Sequence, residues 1–597
     1  MRLRSLAVAS FVPIVPFVLA SLASFGAIHC GGSTTNAQTT TDAGPNGPGD
    51  PGGEAGADAA PDSGSTNPDA IGATTSSKVD LLLVVDNSAS MGDKAKLLGA
   101  SLDPLVRKLS TVGDLHVGVV TSSLGTMGGD VCGGGIQSSL AHLSTVGPGN
   151  TPLPSAAKGF LTFGGGGATD VDVLVADAQT LVNGVGENGC GLEAQLESMY
   201  RFLVQPDPWA TATVDMNNKS ALAGTDSALL AQRKAFLRPD SLVVIVMLTD
   251  EDDSVADPRS VGGQGWAFMA NQFPGSPNFR ADGKTTTAPR ATSACASNPG
   301  SPDCTSCGFA ATCDASDAAC QKIKNDPECK KTGGYYAANE DQLNIRFQRM
   351  KERYGIDPQF PISRYVDGLT KSLVPNRAGE HVEVGNTVGP YLGTPSCTNP
   401  LFAATLPSGA AGEELCNLPK GPRGKDLVVF ALIGGVPEAL VGAAPAWPKI
   451  LGADPGSFDF TGIDTHMIQS DVPRVGLPPP SSTRGDNGTD PINGREWDTA
   501  ANDLQYACTF DLPTPRTCMA SDTSCDCANN TSNPPLCSAT AGQQIKAKAY
   551  PTVRELRVVK ELGDRGILGS ICPTSVASGY TGTMTALADR LAPRLVK

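Results

Sequence analysis

The sequence has little of what most enzyme sites are built from. Its 597 residues hold five histidines, His29, His116, His142, His381 and His466, scattered and never in a His-Glu-x-x-His pair. That excludes the metalloprotease helix, which needs two imidazoles one turn apart. There is no Gly-x-Ser-x-Gly elbow and no Walker-type phosphate loop, so esterase and nucleotide-hydrolase chemistry lack their minimum parts. No block of basic residues stands out either: Lys and Arg number 45 against 60 Asp and Glu, a net charge of −15. A nucleic-acid binder carries a basic footprint, so nucleic acid is excluded as a partner. The acidic balance suits a soluble, cation-tolerant surface. Gly184-x-Gly186-x-x-Gly189 has dinucleotide-loop spacing but follows a helical pattern rather than a strand, the wrong context for cradling a phosphate.

What is present starts with an export pattern. Arg2 and Arg4 open the chain, an apolar run follows over 6–22, and small residues lead to Cys30. The run contains Pro13 and Pro16 and is short for a stable span, so residues 1–29 read as a signal peptide rather than a membrane helix. Ala27-Ile28-His29-Cys30-Gly31-Gly32 resembles a bacterial lipobox, which implies lipidation of Cys30 and a membrane anchor there. His29 stands where such a box has a small residue, and cleavage upstream, for instance after Ala23, is the alternative. Residues 30–78 are rich in Gly, Ala, Pro, Asp and Thr and nearly free of large apolar side chains. They read as a disordered acidic linker, because they cannot bury enough surface to offset ordering entropy.

The chain has 17 cysteines, and setting Cys30 aside leaves even groups: Cys132 with Cys190; six from Cys295 to Cys329; Cys397 with Cys416; five from Cys508 to Cys537 with Cys572. Even numbers after export read as a disulfide framework, with pairings inside the clusters open. Cys304-Thr305-Ser306-Cys307 has the spacing of half a zinc site, but no second such pair accompanies it, and the oxidising compartment favours disulfides.

From residue 79 onward, unbroken apolar strands alternate with amphipathic segments. Strands are predicted over 81–85, 115–121, 242–248, 426–433 and 566–571. Helices are predicted over 94–109, 170–182, 192–203, 552–562 and 583–595, with a Gly-rich loop over 124–167. Continuous apolar strands separated by helices predict an α/β fold with a doubly wound, mainly parallel sheet covered on both faces. Two Cys-rich segments, 254–424 and 451–550, interrupt the pattern and read as insertions at sheet edges, stapled by disulfides for want of a large core. Helical patterns lie inside the first, near 339–354 and 362–373.

The chemistry concentrates where two strands end. The first runs into Asp86-Asn87-Ser88-Ala89-Ser90, and 242–248 runs into Thr249-Asp250-Glu251-Asp252-Asp253. Loops at the C-terminal ends of parallel strands face the crevice where open α/β sheets bind ligands. A carboxylate with two hydroxyls offers only oxygen, the donor set of a hard divalent cation. The same string also suits an Asx-turn or helix cap, and the acidic run 250–253 also suits a solvated loop.

Asp86-x-Ser88-x-Ser90 after one buried strand and Leu248-Thr249-Asp250 after another resemble the metal-ion-dependent adhesion site of von Willebrand factor A domains. The resemblance covers residues 79–597 with both insertions excised. It implies that Asp86, Ser88, Ser90 and Asp250 hold Mg²⁺, Mn²⁺ or Ca²⁺ and that one open coordination position takes an acidic side chain of a protein partner. The family's Thr ligand falls at Cys190. A cystine is no ligand for a hard cation, so Glu187, Glu193 or water would substitute, with Asp252 and Asp253 candidates for a second ion. Cys190 is expected to bridge to Cys132, pinning two loops above the sheet. The layout of signal, linker and head also resembles large exported lipoproteins of myxobacterial type. It implies a non-enzymatic, lipid-anchored protein of the outer membrane or cell surface, or a periplasmic or secreted one, that binds or adheres through a divalent cation. The alternative is a structural envelope protein that binds through its insertions. Arg484-Gly485-Asp486 reads as a coincidental tripeptide, His116 as a core residue, and Gly494-Arg495-Glu496-Trp497 as a structural anchor.

Overall fold

The computed structural model describes residues 74–597, apart from 133–137, 274–285, 299–300, 302, 312–315, 355–357, 385–386, 410–411, 443, 454–458, 520–521, 523 and 529–532. The signal segment, Cys30 and nearly all of the linker lie outside these residues. The linker's last residues are already part of the fold: Ser76 N donates to Arg594 O at 2.9 Å and Val596 N to Ser76 O at 3.0 Å.

Three strands are buried along their whole length: β1 (Val79–Val85), β4 (Leu242–Leu248) and β5 (Val428–Gly434). Between them in sequence lie β2 (Asp114–Thr121) and β3 (Phe160–Gly164), and β6 (Gly566–Ser570) ends the series. They form one mixed sheet in the order β6-β5-β4-β1-β2-β3. Every neighbouring pair is parallel except β2 with β3. The chain winds outward one way from β1 and then returns to wind the other way from β4, so the strand order reverses between β1 and β4.

Successive side chains of β1 point to opposite faces, and each face has its own helices. Leu81, Leu83 and Val85 pack in one cluster with Leu98 of α1 (Gly92–Ser101), Leu105 of α2 (Asp103–Ser110), Leu174 and Leu181 of α3 (Val171–Asn183) and Met584 of α7 (Thr581–Leu591). Leu82 and Val84 join the other, with Leu196 and Met199 of α4 (Gln195–Leu203), Leu229 of α5 (Ser227–Phe236) and Leu556 of α6 (Val553–Leu562). Among the described residues no helix is long and apolar enough to cross a membrane.

Several expectations need correction. The single helix over 94–109 is two, because Pro104 cannot donate to a continuing ladder and starts α2 afresh. The Gly-rich stretch 124–167 is not all loop, since Phe160–Gly164 is the antiparallel edge strand. The helix predicted from 192 starts at Gln195. The first insertion is not a coreless edge feature: Phe268, Tyr336, Phe347, Met350 and Tyr365 merge with the α4 face of the sheet. Nor is the second: Phe510, Leu512, Ala547 and Ala549 join the cluster on the α1 face, and Trp497, Leu504, Tyr506 and Tyr550 form a smaller cluster with Ile345 of the first insertion. The hairpin of the second insertion pairs Cys508–Thr517 with Gln543–Ala549. There Trp497 stacks on Tyr506 at 5.4 Å, and Glu496 takes both Nε and Nη2 of buried Arg474 at 2.9 Å.

Seven disulfides are described, Cys132–Cys190, Cys295–Cys304, Cys307–Cys329, Cys397–Cys416, Cys508–Cys572, Cys518–Cys525 and Cys527–Cys537. Both cysteines of Cys304-Thr305-Ser306-Cys307 are thereby used. So many bridges mark a chain that matures outside the reducing cytosol.

Candidate functional site

The register sets the site. Val85 lies opposite Leu248 on one side and Thr121 on the other, so Asp86, Thr249 and Ser122 leave the sheet at one level. This is the crevice at the reversal of strand order, where ligands bind in open α/β sheets.

Asp86 is fully buried and fully engaged. Its Oδ1 accepts from Ser88 N at 2.9 Å and from Ser122 Oγ at 3.0 Å, and its Oδ2 accepts from Thr249 Oγ1 at 2.9 Å. The first bond closes an Asx-turn, so the turn reading of the motif holds together with any ligand role. Gln195 at the start of α4 donates to Thr249 Oγ1 at 2.6 Å. Ser123 Oγ donates to Asn87 Oδ1 at 2.9 Å and accepts from Cys190 N at 2.8 Å. The loop carrying Cys190 is thus tied to the Asp86 loop by a serine at the end of β2. Gly189 completes the tie. Its N donates to Asn87 O at 2.7 Å, and a Cβ there would lie 2.5 Å from that carbonyl oxygen. Close approach, not phosphate binding, accounts for the last glycine of the Gly-x-Gly-x-x-Gly string.

Ser90 Oγ donates to Asp250 Oδ2 at 2.6 Å. Two further oxygens, Ser88 Oγ and Asp250 Oδ1, are buried without a hydrogen-bond partner. Buried polar atoms are seldom left so, and a hard cation is one group that satisfies hydroxyl and carboxylate oxygens at once. The donor set Ser88, Ser90 and Asp250, with Asp86 behind it, therefore fits a divalent ion in chemistry. Among the described residues no group of three or more His, Cys, Asp or Glu converges to hold a metal.

The remaining acidic candidates are placed differently. Glu187 Oε1 accepts from Gly92 N at 3.1 Å, at the start of α1, where negative charge is favoured. Asp252 Oδ1 accepts from Arg554 N at 2.7 Å in the first turn of α6, and Asp253 Oδ1 from Leu196 N at 3.2 Å in the first turn of α4. The acidic run is therefore a pair of helix caps rather than a solvated loop. Glu193 Oε2 accepts from Ser254 Oγ at 2.9 Å, while its Oε1 is buried and unpartnered. Glu193, Glu251, Asp252, Asp253 and Asp503 line a cavity of about 60 Å³ beside the site. Burial, and then the charge of Asp250, pushes Asp86 up to about 6 and Glu251 to about 8. Burial also raises Glu193 well above its ordinary value, with Glu251 and Asp86 adding to it. The site is thus an excess of carboxylate in a dry place.

Three residues at the site, Lys94, Ser122 and Gln195, are announced by no motif, and the first of them carries charge. Lys94 in the first turn of α1 is 1% exposed. Its ammonium reaches back to Ser90 O at 3.0 Å and pairs with Asp250 Oδ2. Its spacing of four from Ser90 was the available signal, since a helical side chain covers the turn before it.

No family model matches the chain, and no curated protein matches it. Among solved structures it is similar to the pilus adhesin (RrgA) from Streptococcus pneumoniae, at 15% identity over 29% of this chain and 20% of that one, with a TM-score of 0.13. The chain thus spans about a fifth of the adhesin, and a likeness at that score carries no argument about either protein.

Proposed function

We propose that the chain is an exported binding protein of von Willebrand factor A type, whose site holds Mg²⁺, Mn²⁺ or Ca²⁺ and through it an acidic side chain of a protein partner. Ser88 and Ser90 would be direct ligands, with Asp250 and Asp86 supplying negative charge. The observation that carries the reading is the pair of buried, unpartnered oxygens, Ser88 Oγ and Asp250 Oδ1, at the reversal of strand order. On the family resemblance the Thr position falls at Cys190, which is bridged to Cys132, so water or Glu193 would complete the shell. A lipid on Cys30 would hold the head at the cell envelope.

The test is retention of native envelope proteins on the immobilised full chain. A partner retained with Mn²⁺ and released by chelator, and not retained by Ser88→Ala, agrees with the reading. A partner held equally with chelator contradicts it. That outcome would favour binding through the second insertion, which leaves Val472, Val475 and Ile492 at 56%, 94% and 58% exposed. Val475→Asp would then abolish retention.

A further inference from the structure

The carboxylate that a divalent ion would use already has a cation. Lys94 is among the largest fully buried side chains. Its ammonium lies at the N-terminal end of α1, where the helix dipole disfavours positive charge, and it is removed from water, which is costly in the absence of a partner. What offsets this is Asp250 Oδ2, with Ser90 O as a second acceptor. Asp250 Oδ1 and Ser88 Oγ stay unpartnered, so the lysine occupies one side of the carboxylate and leaves the other for a ligand. Lys94 thus offsets one of the carboxylates that face the ion position.

We propose that Lys94 is a built-in counter-ion that makes divalent-cation binding at Ser88, Ser90 and Asp250 depend on a carboxylate supplied from outside. The inference rests on the cation reading of the site. With Lys94 already paired to Asp250, an incoming divalent ion meets less negative charge in a low-dielectric crevice, where uncompensated charge is costly. A partner's Asp or Glu on the open coordination position supplies the compensation that the lysine takes away. Ion and acidic partner would therefore bind cooperatively, each raising the affinity of the other by the same factor. Without the lysine, Asp250 would be free to compensate the ion by itself. Lys94 also keeps Asp250 from standing as a bare buried charge while the ion is away.

The probe is Mn²⁺ itself, titrated into the full chain and followed by the paramagnetic resonance signal of the free ion, with and without acetate as the external carboxylate. Wild type is expected to bind Mn²⁺ weakly and to tighten about tenfold when acetate is added. Lys94→Gln, which keeps a hydrogen-bond donor and drops the charge, is expected to bind Mn²⁺ alone about tenfold tighter than wild type and to respond little to acetate. Lys94→Arg should behave as wild type. Equal affinity in wild type and Lys94→Gln, lost in both on adding Ser88→Ala, would overturn the role of Lys94 and leave the cation site standing. Mn²⁺ that binds none of these proteins would overturn both. Should Lys94→Gln fail to fold, the wild type decides: Mn²⁺ affinity indifferent to acetate overturns the proposal.

Discussion

Asp86 and Ser88 stand two residues apart in one motif, yet the structure gives them opposite energetic roles. Asp86 satisfies a backbone N–H and two hydroxyls, all buried. Asp86→Ala strands those donors, at about 1–3 kcal/mol for each one left unsatisfied, so denaturant unfolding should show a loss of about 3 kcal/mol or more. Ser88 Oγ bonds nothing in the protein. Ser88→Ala removes a desolvated hydroxyl and should change stability by less than about 0.5 kcal/mol while abolishing ion binding. Equal destabilisation by the two substitutions would mean that Ser88 is structural as well. The residue scale is also where sequence reading was most uneven. Asp86, Ser88, Ser90 and Asp250 were legible because each follows an unmistakable buried strand. Lys94, Ser122 and Gln195 were not, because a lysine, a serine or a glutamine near a strand or helix end is ordinary, and only the register brings them to one point. Asp252 and Asp253 misled for the opposite reason, since an acidic run looks solvated until two helix N-termini are found behind it.

At the scale of elements, strands declared themselves through burial on both faces. β1, β4 and β5 are unbroken apolar runs, and any other environment would expose them. β3 was illegible because it is a five-residue edge strand, only partly buried, running into four consecutive glycines. The attachment of the first insertion was hidden for a related reason, since it is made by long-range contacts, apolar ones and one buried ionic cluster. Arg364 of the short helix Ile362–Gly368 donates to both oxygens of Glu197 on α4 at 3.0 Å, and also to Glu380. Its guanidinium lies 3.8 Å over the ring of Tyr200. Breaking a buried pair by removing one partner is costly because the other charge remains. Arg364→Ala should therefore cost about 3–5 kcal/mol and loosen the insertion from α4, read as proteolytic nicking within 254–424. A change below about 1 kcal/mol would show that the insertion is held elsewhere.

The whole molecule carries the electrostatic consequence of so many buried acids. Burial first, then neighbouring charge, raises Asp86 to about 6, Asp253 to about 7 and Glu251 to about 8. An acid raised in the folded state stabilises the fold while protonated. Its contribution is complete below the ordinary value near 4 and disappears as pH rises through the folded value. His381 acts in the same direction. Burial opposes its charge, but Asp257 at 2.7 Å outweighs that and raises it above 6.5, so its contribution is also lost as pH rises. Calorimetric melting should therefore show the ion-free chain more stable at pH 5 than at pH 8. A stabilisation by Mn²⁺ in acetate should be larger at pH 8, where the carboxylates are charged. Stability that climbs from pH 5 to 8 without metal would contradict this electrostatic picture. The central claim is narrower, that the Asp86–Ser90 loop and Asp250 bind a divalent ion through Ser88. Its most direct test is calorimetric titration of Mn²⁺ into wild type and Ser88→Ala at pH 8 with acetate added. The account predicts a single-site isotherm in wild type and none in Ser88→Ala, and it is contradicted by identical isotherms in the two proteins or by no binding in wild type.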